Sequence, residues 1–225
     1  MKERKIKAVI FDQDGVMFDT ERMSAKAWEK AGNDLGVVLE ESFLCTIRGM
    51  NYQDATVRFE KWSGDRGIDC EDLRRRKKEY FTRMRKEQPL PVKPGLHELL
   101  AYLKDQGYKI ALATGSAKEY SLDNLREAGV ESYFEHIISG DMVEHAKPSP
   151  DIFLKSAQVL GEQPEHCLVL EDSLNGVEAG ISGGFITVMV PDMTWPDEKL
   201  RARVDRVCDS LLEVKDWLQG MDREV

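Results

Sequence analysis

The sequence predicts an α/β fold: a parallel sheet flanked by helices, with a helical segment inserted after the first strand. Three observations predict it. Short apolar runs recur along the chain and end in polar residues; stripes at helical spacing separate them; and one long early stretch carries helical patterns with no buried strand.

The first run, residues 6–11, breaks at Asp12-Gln13-Asp14-Gly15. An uninterrupted apolar run suits a parallel strand covered on both faces, with polar residues at its carboxyl end. Residues 109–113, 136–138, 167–170 and 185–190 read the same way. Between them, Leu96, Leu99, Leu100 and Leu103 follow Pro94-Gly95 at helical spacing, and Gly107 ends that segment. Ile152, Phe153, Ala157 and Leu160 form a second stripe, closed by Gly161. The stretch from about Thr20 to Pro91 departs from this rhythm, with helical patterns over 21–35, 52–62 and 72–86. The proline-rich segment 89–94 leads back to the alternating pattern. The division expected is an α/β core over 1–18 and 92–225, with a helical cap over 19–91.

The 225 residues allow a sizeable core, and the share of hydrophobic residues, 41%, is ordinary for a globular chain. A net charge of -9 argues against nucleic acid, which binds clustered Lys and Arg. The basic run Arg74-Arg75-Arg76-Lys77-Lys78 lies between Glu71-Asp72 and Glu79, the pattern of a solvated helix face. Cys45, Cys70, Cys167 and Cys208 form no paired metal motif, and His97, His136, His145 and His166 show no ligand spacing. With no signal peptide and no apolar run of about 18 residues, the expectation is a cytoplasmic protein with reduced thiols, away from membranes, as a monomer or weak oligomer.

Four polar clusters stand at strand ends: Asp12/Asp14, Thr114-Gly115-Ser116, Lys147-Pro148 and Glu171-Asp172. Each alone has a plain reading, since Glu171-Asp172, Thr114 or Ser116 can cap the helix that follows and a Lys before Pro is usually solvated. Together they fall where an open α/β sheet gathers its ligands. Carboxylates around one point repel unless a cation joins them, and hard oxygen ligands suit Mg²⁺. Hydroxyls, backbone N–H groups and Lys147 can then hold a phosphate; Asp12 can attack phosphorus, and Asp14 can protonate the leaving oxygen.

Phe11-Asp12-Gln13-Asp14-Gly15-Val16, Thr114-Gly115-Ser116, Lys147-Pro148-Ser149-Pro150 and Glu171-Asp172-Ser173-Leu174-Asn175-Gly176 resemble the four motifs of the haloacid dehalogenase superfamily, in its order and at its spacing. Asp19-Thr20-Glu21 before a helical insert resembles the subfamily with a small helical cap, which includes phosphoglycolate phosphatase-like enzymes and β-phosphoglucomutase. The resemblance implies a Rossmann-like core and a Mg²⁺-dependent phosphatase acting on a small-molecule phosphate ester through an aspartyl-phosphate. Asp12 would be the nucleophile and a metal ligand, and Asp14 the acid/base, its carbonyl on the metal. Thr114, Gly115, Ser116 and Lys147 would hold the phosphoryl group. Asp172 would complete the metal site, with Glu171 bound directly or through water. Thr20 and the segment 89–94 would be the hinges of the cap.

Other readings lie close by. Dehalogenases of the superfamily lack an acid matching Asp14, and its ion pumps need membrane helices. A silent binding protein would not need four intact motifs. The nearest rival is a sugar phosphomutase. That branch resembles Asp-Thr-Ala-x-x-His-x-x-Ala-Trp where this chain has Asp19-Thr20-Glu21-Arg22-Met23-Ser24-Ala25-Lys26-Ala27-Trp28, so Ser24 replaces the His. It also resembles Lys-Gly-Ile-Ser-Arg where this chain has Arg48-Gly49-Met50-Asn51-Tyr52. Arg48 and Tyr52 are the expected cap contacts to substrate.

Overall fold

The computed structural model describes residues 6–48, 50 and 52–223. Its sheet contains β1 (Ala8–Phe11), β2 (Lys109–Thr114), β3 (His136–Ser139), β4 (Cys167–Glu171), β5 (Ile186–Met189) and β6 (Arg206–Val207). All pair in parallel, in the order β3-β2-β1-β4-β5-β6. The expected α/β class is the one observed. β6 has two residues, too few to show any periodicity, and sequence reading passed over it.

Alternation along the strands sends side chains into two apolar layers. Val9, Phe11, Leu112 and Leu170 pack with α5 (Leu96–Asp105) and α10 (Leu211–Arg223) through residues such as Leu99, Leu103, Val214 and Leu218. Ala8, Ile10, Ala113 and Val169 pack on the other face with Phe153 and Ala157 of α7 (Asp151–Leu160). These strands therefore read as unbroken apolar runs because both faces are covered.

Between β1 and β2 come α1 (Thr20–Asp34), α2 (Glu41–Leu44), α3 (Tyr52–Gly64) and α4 (Cys70–Glu87). They share an apolar cluster of their own, with Ala31, Leu44, Phe59, Trp62 and Leu73 buried. Trp28 stacks on Phe59 with ring centroids 4.5 Å apart, and Phe43 on Trp62 at 5.0 Å. The Asp69 carboxylate caps α4 by accepting from the N–H groups of Glu71 and Asp72. The two chain segments joining these helices to the sheet are paired: Asp19 N–H donates to the Pro91 carbonyl and Lys93 N–H to that of Met17. Phe18 and Val92 form an antiparallel bridge there.

After β2 the chain forms α6 (Lys118–Glu127), α8 (Leu174–Ser182) and α9 (Glu198–Arg201) between the remaining strands. Two of the plain readings fail here. Ala117 is the N-cap of α6, with no side-chain cap, so neither Thr114 nor Ser116 caps it. Ser173 caps α8 through Gly176 N–H, which leaves Glu171 and Asp172 free of that duty.

Gly95 enters α5 at φ +89°, and a Cβ built there would lie 2.5 Å from the Leu212 nitrogen of α10. Both the left-handed backbone and the close approach require glycine. Gly95→Ala is expected to lower stability by about 1–3 kcal/mol, read as the shift in urea midpoint.

Candidate active site

β1 lies between β2 and β4, where the strand order reverses, and ligands of open α/β sheets collect beyond the strand ends at such a point. The register Phe11–Leu112 and Phe11–Leu170 sets Asp12 level with Ala113 and Glu171. Asp12 N–H donates to the Leu170 carbonyl at 2.9 Å, which fixes the start of the loop. The chain then turns at Gly15, φ +89°, where a Cβ would fall 2.2 Å from the Asp172 carboxylate. Only glycine lets this loop pass so close to the acidic end of β4.

Asp12, Glu171 and Asp172 are buried, and one carboxylate oxygen from each lies within 4.8 Å of the others. Lys147, 2% exposed, donates from Nζ to Asp12 Oδ1 at 2.5 Å and to Glu171 Oε1 at 2.6 Å. Glu171 Oε2 accepts from the Asp172 and Ser173 N–H groups and from Ser173 Oγ. Burial pushes the Asp12 carboxyl well above the usual range; Lys147 opposes the shift, and Glu171 and Asp14 add to it. Asp172 is also driven up, by burial first and then by Glu171 and Asp12. Burial alone would lower Lys147, but Asp12 and Glu171 more than reverse it. One ammonium faces three buried carboxylates, so the cluster is short of positive charge. Hard oxygen donors in that state fit a divalent cation.

Asp14 is held from two sides. Thr20 Oγ1 donates to its Oδ1 at 2.5 Å and Ser116 Oγ to its Oδ2 at 2.8 Å. Thr20 therefore does more than mark a junction: it orients the Asp14 carboxylate. Thr114 Oγ1 accepts from Ser116 N–H at 3.1 Å, which leaves the hydroxyl proton free to meet a ligand. Asp12, Asp14, Thr114, Gly115, Ser116 and Asp172 border one cavity of about 150 Å³.

The cap supplies the opposite wall. Glu21, Ser24 and Trp28 share a face of α1 and line this cavity with Arg48. The guanidinium of Arg48 is already engaged, with Glu41 by two contacts, with Glu21 at 3.5 Å and with Thr194 Oγ1 at 3.3 Å. Asn175 Nδ2 donates to the carbonyls of Arg48 and Thr46, tying this stretch to the acidic loop. Tyr52 requires a correction. It is 72% exposed, stacks under Arg74 at 4.1 Å and lines an outer groove of the cap rather than the cavity, because α3 begins at this residue and turns it outward. Gly49 and Asn51 of the same motif lie outside the described residues.

Sequence reading gave Glu21 no role in the site, although it lines the cavity. Lys77 was grouped with a solvated basic run, and its neighbours fit that reading: Arg75 and Arg76 pair with Asp72. Lys77 itself shares a helix face with buried Leu73 and with Phe81, a spacing of four residues each way that was available as a signal.

A family model for haloacid dehalogenase-like hydrolases matches residues 6–184. The chain belongs to this family. It is 31% identical over 80% of its length to a phosphorylated carbohydrates phosphatase of Thermotoga maritima, of which it covers 82%. It is 29% identical to β-phosphoglucomutase of Bacillus subtilis, over 97% of this chain and 99% of that one. The crystal structure of β-phosphoglucomutase from Clostridium difficile superposes with a TM-score of 0.79 at 26% identity, covering 97% of this chain and 98% of the other. As a member of the haloacid dehalogenase-like hydrolases, the chain is an enzyme of the phosphatase and phosphomutase type.

Glu21 yields a pH prediction. Burial first, and then Asp14, push its carboxyl up from 4.5 to about 7, against Arg48 and Lys77. The folded state holds this proton longer than the unfolded chain does, so the contribution is most favourable below about pH 4.5 and declines as pH rises through about 7. Wild type is expected to lose more stability between about pH 5 and about pH 8 than Glu21→Gln does, measured by urea unfolding at both values without divalent cations.

Proposed function

We propose that this protein is a Mg²⁺-dependent phosphatase that hydrolyses a small phosphorylated sugar or similar metabolite through a phosphate carried on Asp12. The observation that carries the reading is that Asp12, Asp14, Thr114 and Asp172 all border one cavity. A carboxylate oxygen of Asp12 attacks phosphorus and the ester P–O bond breaks, the departing oxygen taking a proton from Asp14. Asp14, now a base, takes a proton from water; the water oxygen bonds to phosphorus, the P–O bond to Asp12 breaks and inorganic phosphate leaves. Lys147 stays bonded to Asp12 and Glu171, while the Thr114 hydroxyl donates to the phosphoryl group. Asp12, Asp172 and the Asp14 carbonyl would hold Mg²⁺, which when bound offsets the charge on the phosphoryl oxygens. Both Glu171 oxygens already accept hydrogen bonds, which favours contact with the metal through water.

Kinship with β-phosphoglucomutase keeps the mutase as the second reading. A mutase has to bind a second phosphate. Here the guanidinium of Arg48 is occupied by Glu41 and Glu21, Ser24 is uncharged, and Tyr52 lies outside the cavity. These features favour water over a sugar hydroxyl as the acceptor.

Asp12→Asn is expected to lower kcat by more than about 10³-fold while the protein stays folded, and beryllium fluoride with Mg²⁺ should bind wild type. EDTA should stop turnover and Asp172→Ala should weaken Mg²⁺ binding in calorimetry; full activity in EDTA would exclude the metal-dependent route. With β-glucose 1-phosphate, Mg²⁺ and a trace of glucose 1,6-bisphosphate, free phosphate should dominate. Rapid formation of glucose 6-phosphate with little free phosphate would establish the mutase instead.

A further inference from the structure

The loop that follows β5 carries a buried carboxylate with no part in the chemistry proposed above. The Asp192 side chain is fully buried, and its Oδ1 accepts from Lys93 Nζ at 2.9 Å and from Arg22 Nη2 at 3.1 Å. Its other oxygen, Oδ2, is buried with no hydrogen-bond partner among the described residues. The two cations at Oδ1 therefore balance this charge between them, and the loss of either leaves a buried carboxylate poorly compensated. Arg22 also reaches back to Asp19, Nε to Oδ1 at 3.3 Å. Lys93 belongs to the linker that returns to the sheet, Asp19 to the linker that leaves it, and Arg22 to the first turn of α1. The sheet places Asp192 in turn, since Val190 N–H donates to the Glu171 carbonyl at 2.7 Å.

We infer that Asp192 is a positioning residue for Asp14: by holding Arg22 it fixes the first turn of α1, and with it the Thr20 hydroxyl that orients the Asp14 carboxylate. The inference rests on the phosphatase reading, in which Asp14 protonates the departing oxygen. Two observations carry it. Asp19, the N-cap of α1, makes no side-chain cap, so this helix start has no local clamp of its own and depends on what grips it from outside. Arg22 stands two residues after Thr20 in that same turn, and its grip leads to a carboxylate fixed by the sheet. Neither Asp192 nor Arg22 borders the cavity, so any influence of the pair on the reaction travels through the turn that carries Thr20.

The test compares phenyl phosphate with 2,4-dinitrophenyl phosphate on wild type, Arg22→Met, Asp192→Asn and Thr20→Val, with Mg²⁺ present. Both are aryl esters, but phenolate is a strong enough base to need a proton as it departs, whereas dinitrophenolate leaves without one. Each substitution is expected to lower kcat/KM for phenyl phosphate about tenfold more than for the dinitrophenyl ester. Thr20→Val combined with Asp192→Asn should lose no more than Thr20→Val alone, because both act on one contact. Equal losses on the two esters would overturn the inference, as would losses that add in the double variant. Hydrogen exchange reads the grip on α1 without turnover. Amides of residues 23–26, which close the first turn of this helix, should exchange about tenfold faster in Arg22→Met and Asp192→Asn than in wild type, with α7 unchanged. Exchange that stays at the wild-type rate would overturn the inference too. If wild type releases phosphate from neither ester, the phosphatase reading fails, and the exchange rates alone decide whether Asp192 holds α1.

Discussion

The Lys147 ammonium, set between Asp12 and Glu171, is the contact on which the rest of the site depends. Buried carboxylates at the ends of two adjacent parallel strands repel each other, and the sheet brings them together whatever their charge. A buried cation bonded to both makes that register tolerable, and losing one partner of such a group costs several kcal/mol. Three carboxylates remain against one ammonium, however. The fold thus builds a place that is incomplete alone, and this shortage of positive charge gives the cluster its appetite for a metal ion and a reason to hold it beside Asp12.

Around this centre the molecule separates two tasks. The sheet fixes positions: Asp12, Thr114 and Glu171 stand on or next to strands whose side chains fill two apolar layers. The inserted helices pack around an aromatic cluster of their own and contribute the opposite wall of the cavity. Asp14 connects the two, since one of its hydroxyl donors belongs to the first turn of α1 and the other to the loop after β2. The Asp14 carboxylate is therefore set by both parts of the molecule at once.

Much of this was legible in the sequence. Strands buried on both faces gave unmistakable runs, and the polar residues that end them are the ones the sheet gathers. What escaped notice had physical reasons. β6 is too short to carry a pattern. Lys77 stands in a charged run among solvated neighbours, and its inward direction shows only when helix faces are followed through Leu73 and Phe81. Glu21 sits in a hollow made by several elements, and no local spacing encodes its distance to Arg48. Tyr52 misled for the converse reason: matching a motif position says nothing about which way a helix start turns a side chain.

The paired segments between the sheet and the inserted helices are fastened at two points. With Asp19 bonded to Pro91 and Lys93 to Met17, the linkers are fastened to each other and resist independent twisting. Any swing of the cap then pivots about a line through residues 17–19 and 91–93, and displacement grows with distance from it. Thr20 follows directly on residues 17–19 and would travel little in such a swing. Asp14 would thus keep its Thr20 partner through small excursions of the inserted helices.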